Sequence, residues 1–244
     1  MGLLRGLFRK KNAYEPGFCS LILVAAGSAS RMNGVDKVLY ELGGVPVIVQ
    51  ALRPFQESDL VHEIVVVTRR DILVEVGQLC RLYQLTKVTK IIPGGADRRE
   101  SVQLGLEEIS SKAALVAIHD GARPLVTRDV LEAAVLRAGM TGAAAPGIPL
   151  KDTVKLTVGG VVKETLPREQ LQAIQTPQVF EVSLIKAALA RSVTDGVALT
   201  DDCSAVERLG FNVVVTPGSE ENIKITTPAD LLLGESILAG REWN

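Results

Sequence analysis

The sequence predicts an α/β protein with a mostly parallel β-sheet flanked by helices, and two observations predict it. Short apolar runs bounded by turn residues recur along the chain, and we interpret them as strands buried on both faces: 21–25, 63–68, 88–92, 115–119, 142–146 and 212–216. Between several of them lie segments with apolar residues every three or four positions, which predict helices: 45–56, 71–83, 98–109 and 128–138. Because strands alternate with helices, the sheet is expected to be mostly parallel.

Length and composition favour one globular domain. The chain has 244 residues, of which 47% are hydrophobic and 23% charged, so a large buried core is expected. We predict a flexible basic tail over residues 1–18 and a single domain over residues 19–244, because no linker or internal repeat separates two units.

The charge balance and the cysteines exclude several classes of protein. The 27 basic and 28 acidic residues nearly cancel, so the chain as a whole is not expected to bind nucleic acid or an anionic membrane. No apolar stretch approaches the ~20 residues of a membrane-spanning helix. The three cysteines are widely separated and form no CxxC motif, which argues against a disulfide framework or a zinc cluster and favours a cytoplasmic location.

One interval, residues 150–175, interrupts the alternation of strands and helices. Two short runs, 153–157 and 161–165, flank the pair Gly159-Gly160, and a glycine pair suits the tight turn of a β-hairpin. The interval therefore predicts a hairpin arm that protrudes from the domain.

The first predicted strand leads directly into a loop of small residues, Ala25, Ala26 and Gly27, followed by the cations Arg31 and Lys37. Small side chains let backbone N–H groups approach a triphosphate, and the cations supply the opposing charge. Alternatively, the segment is an ordinary strand-to-helix turn with two surface cations. It fits neither GxxxxGK[ST] nor GxGxxG, so neither a P-loop NTPase nor a dinucleotide-dependent dehydrogenase is supported.

A second polar motif, residues 119–124 (HDGARP), follows the fourth predicted strand. Asp120 is a candidate ligand for Mg²⁺, which prefers carboxylate and phosphate oxygens. Alternatively, Asp120 and Arg123 form an ion pair that fixes the loop. We interpret His119 as a packed, hydrogen-bonded residue rather than a metal ligand.

Three further segments carry candidate side chains. In residues 94–101 (GGADRRES), Gly95 admits a flat ring against the backbone and Ser101 offers a hydroxyl group. The hairpin region contributes Thr153 and Arg168. Lys224 lies in an alternating apolar segment, where a strand would place it among partly buried neighbours.

Taken in order, these motifs resemble the 2-C-methyl-D-erythritol 4-phosphate cytidylyltransferase family of the non-mevalonate isoprenoid pathway. The resemblance extends from about residue 21 to residue 238 and rests on AAGSASRM, Lys37, GGADRRES, HDGARP, KDTVK, QTPQ, TDD and ENIKIT. It implies a Rossmann-like nucleotidyltransferase fold, a homodimer joined through the hairpin arms, CTP and the sugar-alcohol phosphate as substrates, and Mg²⁺ or another divalent cation as cofactor.

The resemblance also implies roles for individual residues. Catalytic roles fall to Arg31, Lys37 and Lys224, on the triphosphate and the transition-state charge. The other roles are binding roles: Ala25, Ala26, Gly27, Gly95, Ser101 and Asp120 toward the nucleotide, Asp120 toward the metal, and Arg123, Thr153 and Arg168 toward the sugar phosphate, the last two in the partner subunit's site.

The sequence departs from the family's usual motifs at Ala29, Asp36 and Gly121, although the charged residues remain. Three alternatives stay open at this point. One is a sibling enzyme that uses ribitol 5-phosphate, one is a non-catalytic nucleotide-binding regulator, and one is an interaction module that only dimerises through the hairpin.

Overall fold

A computed structural model of the protein describes residues 17–27 and 36–241. Its strands are β1 (Cys19–Ala25), β2 (Glu41–Leu42), β3 (Val45–Pro46), β4 (Glu63–Thr68), β5 (Val88–Pro93), β6 (Leu115–Asp120), β7 (Ala143–Pro149), β8 (Lys155–Val158), β9 (Val161–Thr165), β10 (Gln172–Ile174), β11 (Gln178–Glu181) and β12 (Val214–Pro217). Its α-helices are α1 (Val47–Glu57), α2 (Leu73–Leu82), α3 (Arg98–Glu108), α4 (Arg128–Thr141), α5 (Val182–Thr194), α6 (Asp202–Arg208) and α7 (Pro228–Arg241).

The main sheet has eight strands and is mostly parallel. Its order is β10-β7-β11-β6-β1-β4-β5, with β12 also paired to β7. The strands β6, β1, β4 and β5 run parallel to one another, as do β12 and β7, whereas β10 and β11 are antiparallel to their neighbours. The carboxyl ends of the four consecutive parallel strands therefore meet at one edge of the sheet.

Helices cover both faces of this sheet, as the uninterrupted apolar strands require. Alternate residues of β1 belong to opposite clusters: Leu21 and Leu23 pack with residues of α1, α2 and α4, while Ile22 packs with residues of α3, α5 and α6. The result is a three-layer arrangement with one apolar core on each side of the sheet, which confirms the predicted fold class.

A third, smaller apolar cluster lies beside the main layers. It joins Leu42, Leu125, Ile225 and Leu231, which come from β2, the segment after β6, the segment before α7, and α7 itself. Segments that are far apart in the sequence are thereby held together next to the carboxyl ends of the strands.

The prediction that every strand is buried on both faces was wrong for β5 and β12. In β5, Thr89 and Lys90 are exposed, and in β12 Val215 is 46% exposed. The reason is position: β5 is the last strand at one end of the sheet, and β12 pairs only with β7, so neither is enclosed as β1 is.

The sequence reasoning missed helices α5, α6 and α7 and the antiparallel strands β10 and β11. It also placed Lys224 in a strand, which is wrong, since residues 222–227 form no strand or helix. Asn222 instead donates from its side-chain nitrogen to the Thr176 carbonyl and accepts from Arg123 at its own carbonyl, so hydrogen bonds to other segments hold this part of the chain.

Residues 155–165 form the two-stranded antiparallel hairpin that the glycine pair predicts. Val158 pairs with Val161 across the turn, and both turn glycines have positive φ, +59° for Gly159 and +78° for Gly160. Every residue of β8 and β9 is exposed. The use of this hairpin for dimerisation stays a prediction.

Most of the predicted basic tail, residues 1–16, lies outside the described residues, and the single-domain boundary stays a prediction. Over the ranges 17–27 and 36–241, no helix is both long and apolar enough to cross a bilayer.

Candidate active site

A cavity of about 400 Å³ opens where the parallel strands end. Segments following β1, β5 and β6 form it together with Lys37 and Lys224. This is the location expected for a ligand in an open α/β sheet. Among the described residues, its lining consists of Val24, Ala25, Ala26, Gly27, Lys37, Val38, Gly95, Ala96, Asp97, Arg98, Ser101, Asp120, Ala122 and Lys224.

The loop after β5 forms one wall and approaches the end of β1 closely. A Cβ atom added to Gly94 would lie 2.3 Å from the Cβ of Ala26, so only glycine allows the two loops to pack in this way. Helix α3 begins directly behind the loop. Asp97 caps it by accepting the Glu100 backbone N–H at 2.8 Å, and the Glu100 carboxylate accepts the Ala96 N–H at 2.6 Å. The amino end of an 11-residue helix thus faces the cavity and favours an anion there.

Ser101 lies in this wall, but its hydroxyl group is already hydrogen-bonded. It donates to the Asp97 carbonyl at 2.8 Å and accepts the Gly95 N–H at 3.1 Å, and the residue is 1% exposed. In this structure Ser101 therefore shapes the loop. Its predicted contact with a nucleotide stays a prediction.

Lys37 lies near the start of a described segment, and contacts of the preceding residue, Asp36, hold this segment in place. Asp36 forms an ion pair with Arg69 from the end of β4, and it also accepts the Val38 N–H at 3.2 Å. These contacts anchor the backbone on both sides of Lys37 at the cavity. Arg31, the other predicted cation of this loop, lies outside the described residues.

Asp120 is the most strongly paired acid of the cavity. Its Oδ2 lies 2.7 Å from Lys224 Nζ, its Oδ1 lies 3.2 Å from Arg98 Nε, and Arg123 Nε is 4.0 Å from Oδ2. Burial by itself would raise the pKa of Asp120, but the charges of Arg98 and Lys224 hold it well below its ordinary value. The carboxylate is therefore ionised at neutral pH.

Arg98 is shared between two acids. Besides Asp120, it contacts Asp202 at the start of α6, with Nη1 2.8 Å from Oδ2. Asp202 is 2% exposed, and burial raises its pKa although Arg98 opposes the shift. The side-chain oxygen of Gln178 accepts the Asp202 N–H at 3.0 Å, which fixes the end of α6 to β11. Sequence reasoning assigned no role to Arg98 or Asp202.

Lys224 lies in an irregular segment that is bound to the loop after β6. The Ile225 N–H donates to the Ala122 carbonyl at 2.8 Å, and Arg123 Nη1 donates to the Asn222 carbonyl at 2.6 Å. The Lys224 side chain itself is 42% exposed, so a phosphate group entering the cavity can reach it. Three of the predicted site residues, Asp120, Arg123 and Lys224, are thus brought together.

Thr153 and Arg168 are not brought to this cavity within one chain. Thr153 is exposed beside the hairpin, and Arg168 donates to the Lys151 carbonyl next to a separate shallow cavity. The roles predicted for these two side chains, in the site of a partner subunit, stay predictions.

His119 is fully buried at the end of β6, as expected for a packed residue. Its Nε2 lies 3.0 Å from the Arg123 carbonyl oxygen and its Nδ1 lies 2.9 Å from the Thr176 hydroxyl. Burial lowers the pKa of His119 from 6.5 to about 4, so the ring is neutral at physiological pH.

This shift predicts acid sensitivity of the fold. Between pH 6.5 and 4 the unfolded chain protonates this imidazole while the folded chain does not, so the free energy of unfolding falls as the pH drops, by about 3 kcal/mol from this group. Urea unfolding of the wild type and of His119→Gln across this range measures the effect. The wild type should lose more stability than the variant, and parallel curves would contradict the prediction.

Comparison with known proteins places this geometry in a family. The family model for 2-C-methyl-D-erythritol 4-phosphate cytidylyltransferase matches residues 19–240. The chain belongs to this family. The match includes all the described cavity residues, from Val24 to Lys224.

Individual cytidylyltransferases of the family support the assignment. The enzyme of Halalkalibacterium halodurans is 44% identical over 224 residues, which cover 91% of this chain and 98% of that protein. The enzyme of Clostridium novyi is 41% identical, with 89% and 95% covered. Among solved structures, the 4-diphosphocytidyl-2C-methyl-D-erythritol synthase of Anaerococcus prevotii has a TM-score of 0.83 at 27% identity, with 92% of this chain and 97% of that chain covered. The cytidylyltransferase of Thermus thermophilus has a TM-score of 0.75 at 30% identity, with 91% and 99% covered.

Proposed function

We propose that this protein catalyses its family's reaction, the transfer of CMP from CTP to 2-C-methyl-D-erythritol 4-phosphate with release of pyrophosphate, in isoprenoid precursor biosynthesis. The observation that carries the proposal is the cavity at the strand ends, which brings Lys37, Asp120 and Lys224 together inside the family match. Its mixture of cations and one strongly ionised acid suits a metal-bound triphosphate.

The chemistry requires no general base. The second ionisation of a phosphate monoester has a pKa of about 6, so the substrate phosphate is already an anionic nucleophile near neutral pH. One of its oxygens forms a bond to the α-phosphorus of CTP, and the bond from that phosphorus to the α–β bridging oxygen breaks. The electron pair leaves with pyrophosphate.

Catalysis then consists of positioning two anions and neutralising their charge. We assign Lys37 and Arg31 to the triphosphate and Lys224 to the α-phosphate, where negative charge accumulates during transfer. Ala25, Ala26, Gly27 and the amino end of α3 supply backbone N–H groups and a favourable dipole.

The residues present fit a divalent cation that arrives with the nucleotide. Asp120 offers an ionised carboxylate, and no group of three or more His, Cys, Asp or Glu side chains that suits a metal occurs in the described part of the chain. Mg²⁺ commonly uses one or two carboxylates and completes its shell with water and substrate phosphates. We therefore propose that Asp120 holds Mg²⁺, or another divalent cation, whose charge offsets that of the triphosphate.

We also propose that the active protein is a cytoplasmic homodimer joined through the hairpin arms. Support comes from four exposed apolar side chains on the hairpin, between 49% and 61% exposed: Leu156, Val158, Val161 and Val162. A two-stranded hairpin is only marginally stable alone in water, so a second copy that covers these side chains would stabilise it. Thr153 and Arg168 would then reach the sugar phosphate in the partner's site. The described cysteines are free and buried, which suits a reducing compartment.

A steady-state assay tests the substrate. Pyrophosphate release is measured with CTP, Mg²⁺ and either 2-C-methyl-D-erythritol 4-phosphate or ribitol 5-phosphate, with chelator as the metal control. Release with the methylerythritol phosphate alone supports the proposal. Release with ribitol phosphate alone would transfer the mechanism to the sibling substrate, and CTP binding without release from either would indicate a non-catalytic regulator.

The hairpin proposal predicts a monomeric double variant. Val158 and Val161 lie opposite each other, so Val158→Lys with Val161→Lys puts two charges into one apolar contact. The dissociation constant of the dimer is expected to rise at least about tenfold, which corresponds to 1.4 kcal/mol, as measured by analytical ultracentrifugation.

The matched control also replaces two exposed apolar side chains by lysine, on a different surface. Val74→Lys with Leu82→Lys replaces side chains that are 73% and 72% exposed on α2, and it should leave the association unchanged. Equal association of both double variants would reject the hairpin as the dimer contact.

A further inference from the structure

His119 occupies a central position that the proposed chemistry does not use. It is 0% exposed, and its ring packs 4.9 Å from that of Phe55, measured between centroids. An apolar side chain could fill this space. Burying an imidazole instead costs free energy unless both ring nitrogens find partners, and both of them do, at Arg123 and Thr176.

The partners fix the direction of every hydrogen bond. The Arg123 carbonyl oxygen only accepts, so Nε2 of His119 carries the proton and donates. Nδ1 is then an acceptor and receives the hydroxyl proton of Thr176. With its proton committed, the Thr176 oxygen accepts the backbone N–H of Asp120 at 3.2 Å. A single neutral tautomer of His119, with its proton on Nε2, is therefore compatible with all three hydrogen bonds.

These bonds reach three segments of the candidate site. Asp120 and Arg123 stand at the two ends of the loop after β6, and His119 is tied to both of them. The Thr176 carbonyl also accepts from the Asn222 side chain at 3.0 Å, and Asn222 lies two residues before Lys224. A change in the His119–Thr176 contact would therefore shift the Asp120 carboxylate relative to the cations that face it.

We infer that His119 is a positioning residue for cytidylyl transfer, which acts on Asp120 through the Thr176 hydroxyl and on Arg123 through its carbonyl oxygen. This inference rests on the proposed function. Because the charged groups remain present and are only misplaced when the bonds are lost, the effect falls on the transition state more than on nucleotide binding.

Two variants of His119 and two of Thr176 test the hydrogen bonds made by the two imidazole nitrogens. His119→Gln keeps a donor for the Arg123 carbonyl and loses the bond to Thr176, whereas His119→Asn keeps an acceptor for Thr176 and loses the bond to Arg123. Thr176→Val removes the hydroxyl group at nearly constant volume, and Thr176→Ser restores it. Thr216→Val is the matched control, because this buried hydroxyl has no hydrogen-bond partner among the described residues.

Each variant is measured for kcat and KM with CTP and the methylerythritol phosphate, beside its unfolding temperature. We expect His119→Gln, His119→Asn and Thr176→Val each to lower kcat about tenfold or more, with KM for CTP changing less than about threefold. Thr176→Ser should recover most of kcat, and Thr216→Val should retain it. Because His119→Gln and Thr176→Val break the same bond, their combination should cost little more than either change alone.

Three outcomes would overturn the inference. Variants that lose thermal stability but keep the wild-type kcat would show that His119 serves packing alone. Fully multiplicative effects of His119→Gln and Thr176→Val would show that the two residues do not act through one bond. An inactive wild-type protein, seen in the same assay, would instead reject the proposed function, and this role with it.

Discussion

Replacement of Lys224 by methionine is expected to lower kcat about 100-fold or more while the protein remains folded. Its ammonium group is the cation placed against Asp120 at 2.7 Å, and it is accessible from the cavity. Methionine preserves much of the aliphatic length but removes the charge. Losing one preorganised group that stabilises transition-state charge typically costs about 100- to 1,000-fold in kcat. Pre-steady-state product formation at saturating substrates measures the effect directly.

The control for Lys224→Met is Lys90→Met, which removes the lysine of an ion pair of the same length elsewhere in the chain. Lys90 contacts Glu108 at the same distance, 2.7 Å, with similar exposure of its side chain, but it does not line the active-site cavity. Lys90→Met should keep the wild-type kcat. If both variants are equally active, Lys224 has no role in the transfer step.

Asp120→Asn is the second substitution with a large expected effect. Among the described residues, its carboxylate alone contacts Arg98, Lys224 and Arg123 together, so the substitution leaves these three cations around a neutral amide. We expect kcat/KM to fall about 100-fold or more, and the Mg²⁺ concentration required for half-maximal rate to rise, because a carboxylate ligand is lost. Initial rates at varied CTP measure kcat/KM, and titration of Mg²⁺ at fixed CTP measures the Mg²⁺ concentration for half-maximal rate.

Asp202→Asn distinguishes the two causes that could lower kcat/KM in Asp120→Asn, which are the loss of a metal ligand and the disturbance of Arg98. Asp202 also contacts Arg98 but does not line the cavity, so its replacement disturbs Arg98 without removing the proposed metal ligand. Its Mg²⁺ dependence should match that of the wild type. If Asp202→Asn and Asp120→Asn shift the Mg²⁺ dependence equally, the role of Asp120 is only to hold Arg98.

The parallel part of the sheet was predictable because its physical signal is local. The four central residues of the run from Glu63 to Thr68 are all apolar and every residue of the run is buried, and the predicted and observed bounds of β4 coincide. The strand β11, Gln178–Glu181, was missed because it is short and contains only two consecutive apolar residues. Its burial depends on β6 and β7 on either side, which no local pattern reveals.

The site was predictable to the extent that its residues follow strands. Gly27 and Gly95 lie two residues beyond the ends of β1 and β5, and Asp120 is the last residue of β6, so parallel topology alone brings them to one edge. The Arg98–Asp202 contact joins α3 to α6, two helices that are distant in the sequence, and only the folded chain places them side by side.

The position of Lys224 in the fold could not be predicted from the sequence pattern around it. The alternation around it predicted a strand, whereas its place is set by the small apolar cluster that holds Ile225 and by the backbone bond from Ile225 to Ala122. The lysine reaches the cavity through tertiary contacts, and the periodicity of the segment contains no information about them.

The site of attack on CTP is tested by following the phosphorus atoms of the nucleotide. The protein is incubated with Mg²⁺, 2-C-methyl-D-erythritol 4-phosphate and CTP that carries a radiolabel on either the α- or the γ-phosphate, and the products are separated. Attack at the α-phosphorus predicts that the α-label appears in the cytidine-linked sugar phosphate and the γ-label in pyrophosphate. Transfer of the γ-label to the sugar phosphate, or its release as inorganic phosphate with the α-label left in CDP, would rule out cytidylyl transfer by this protein.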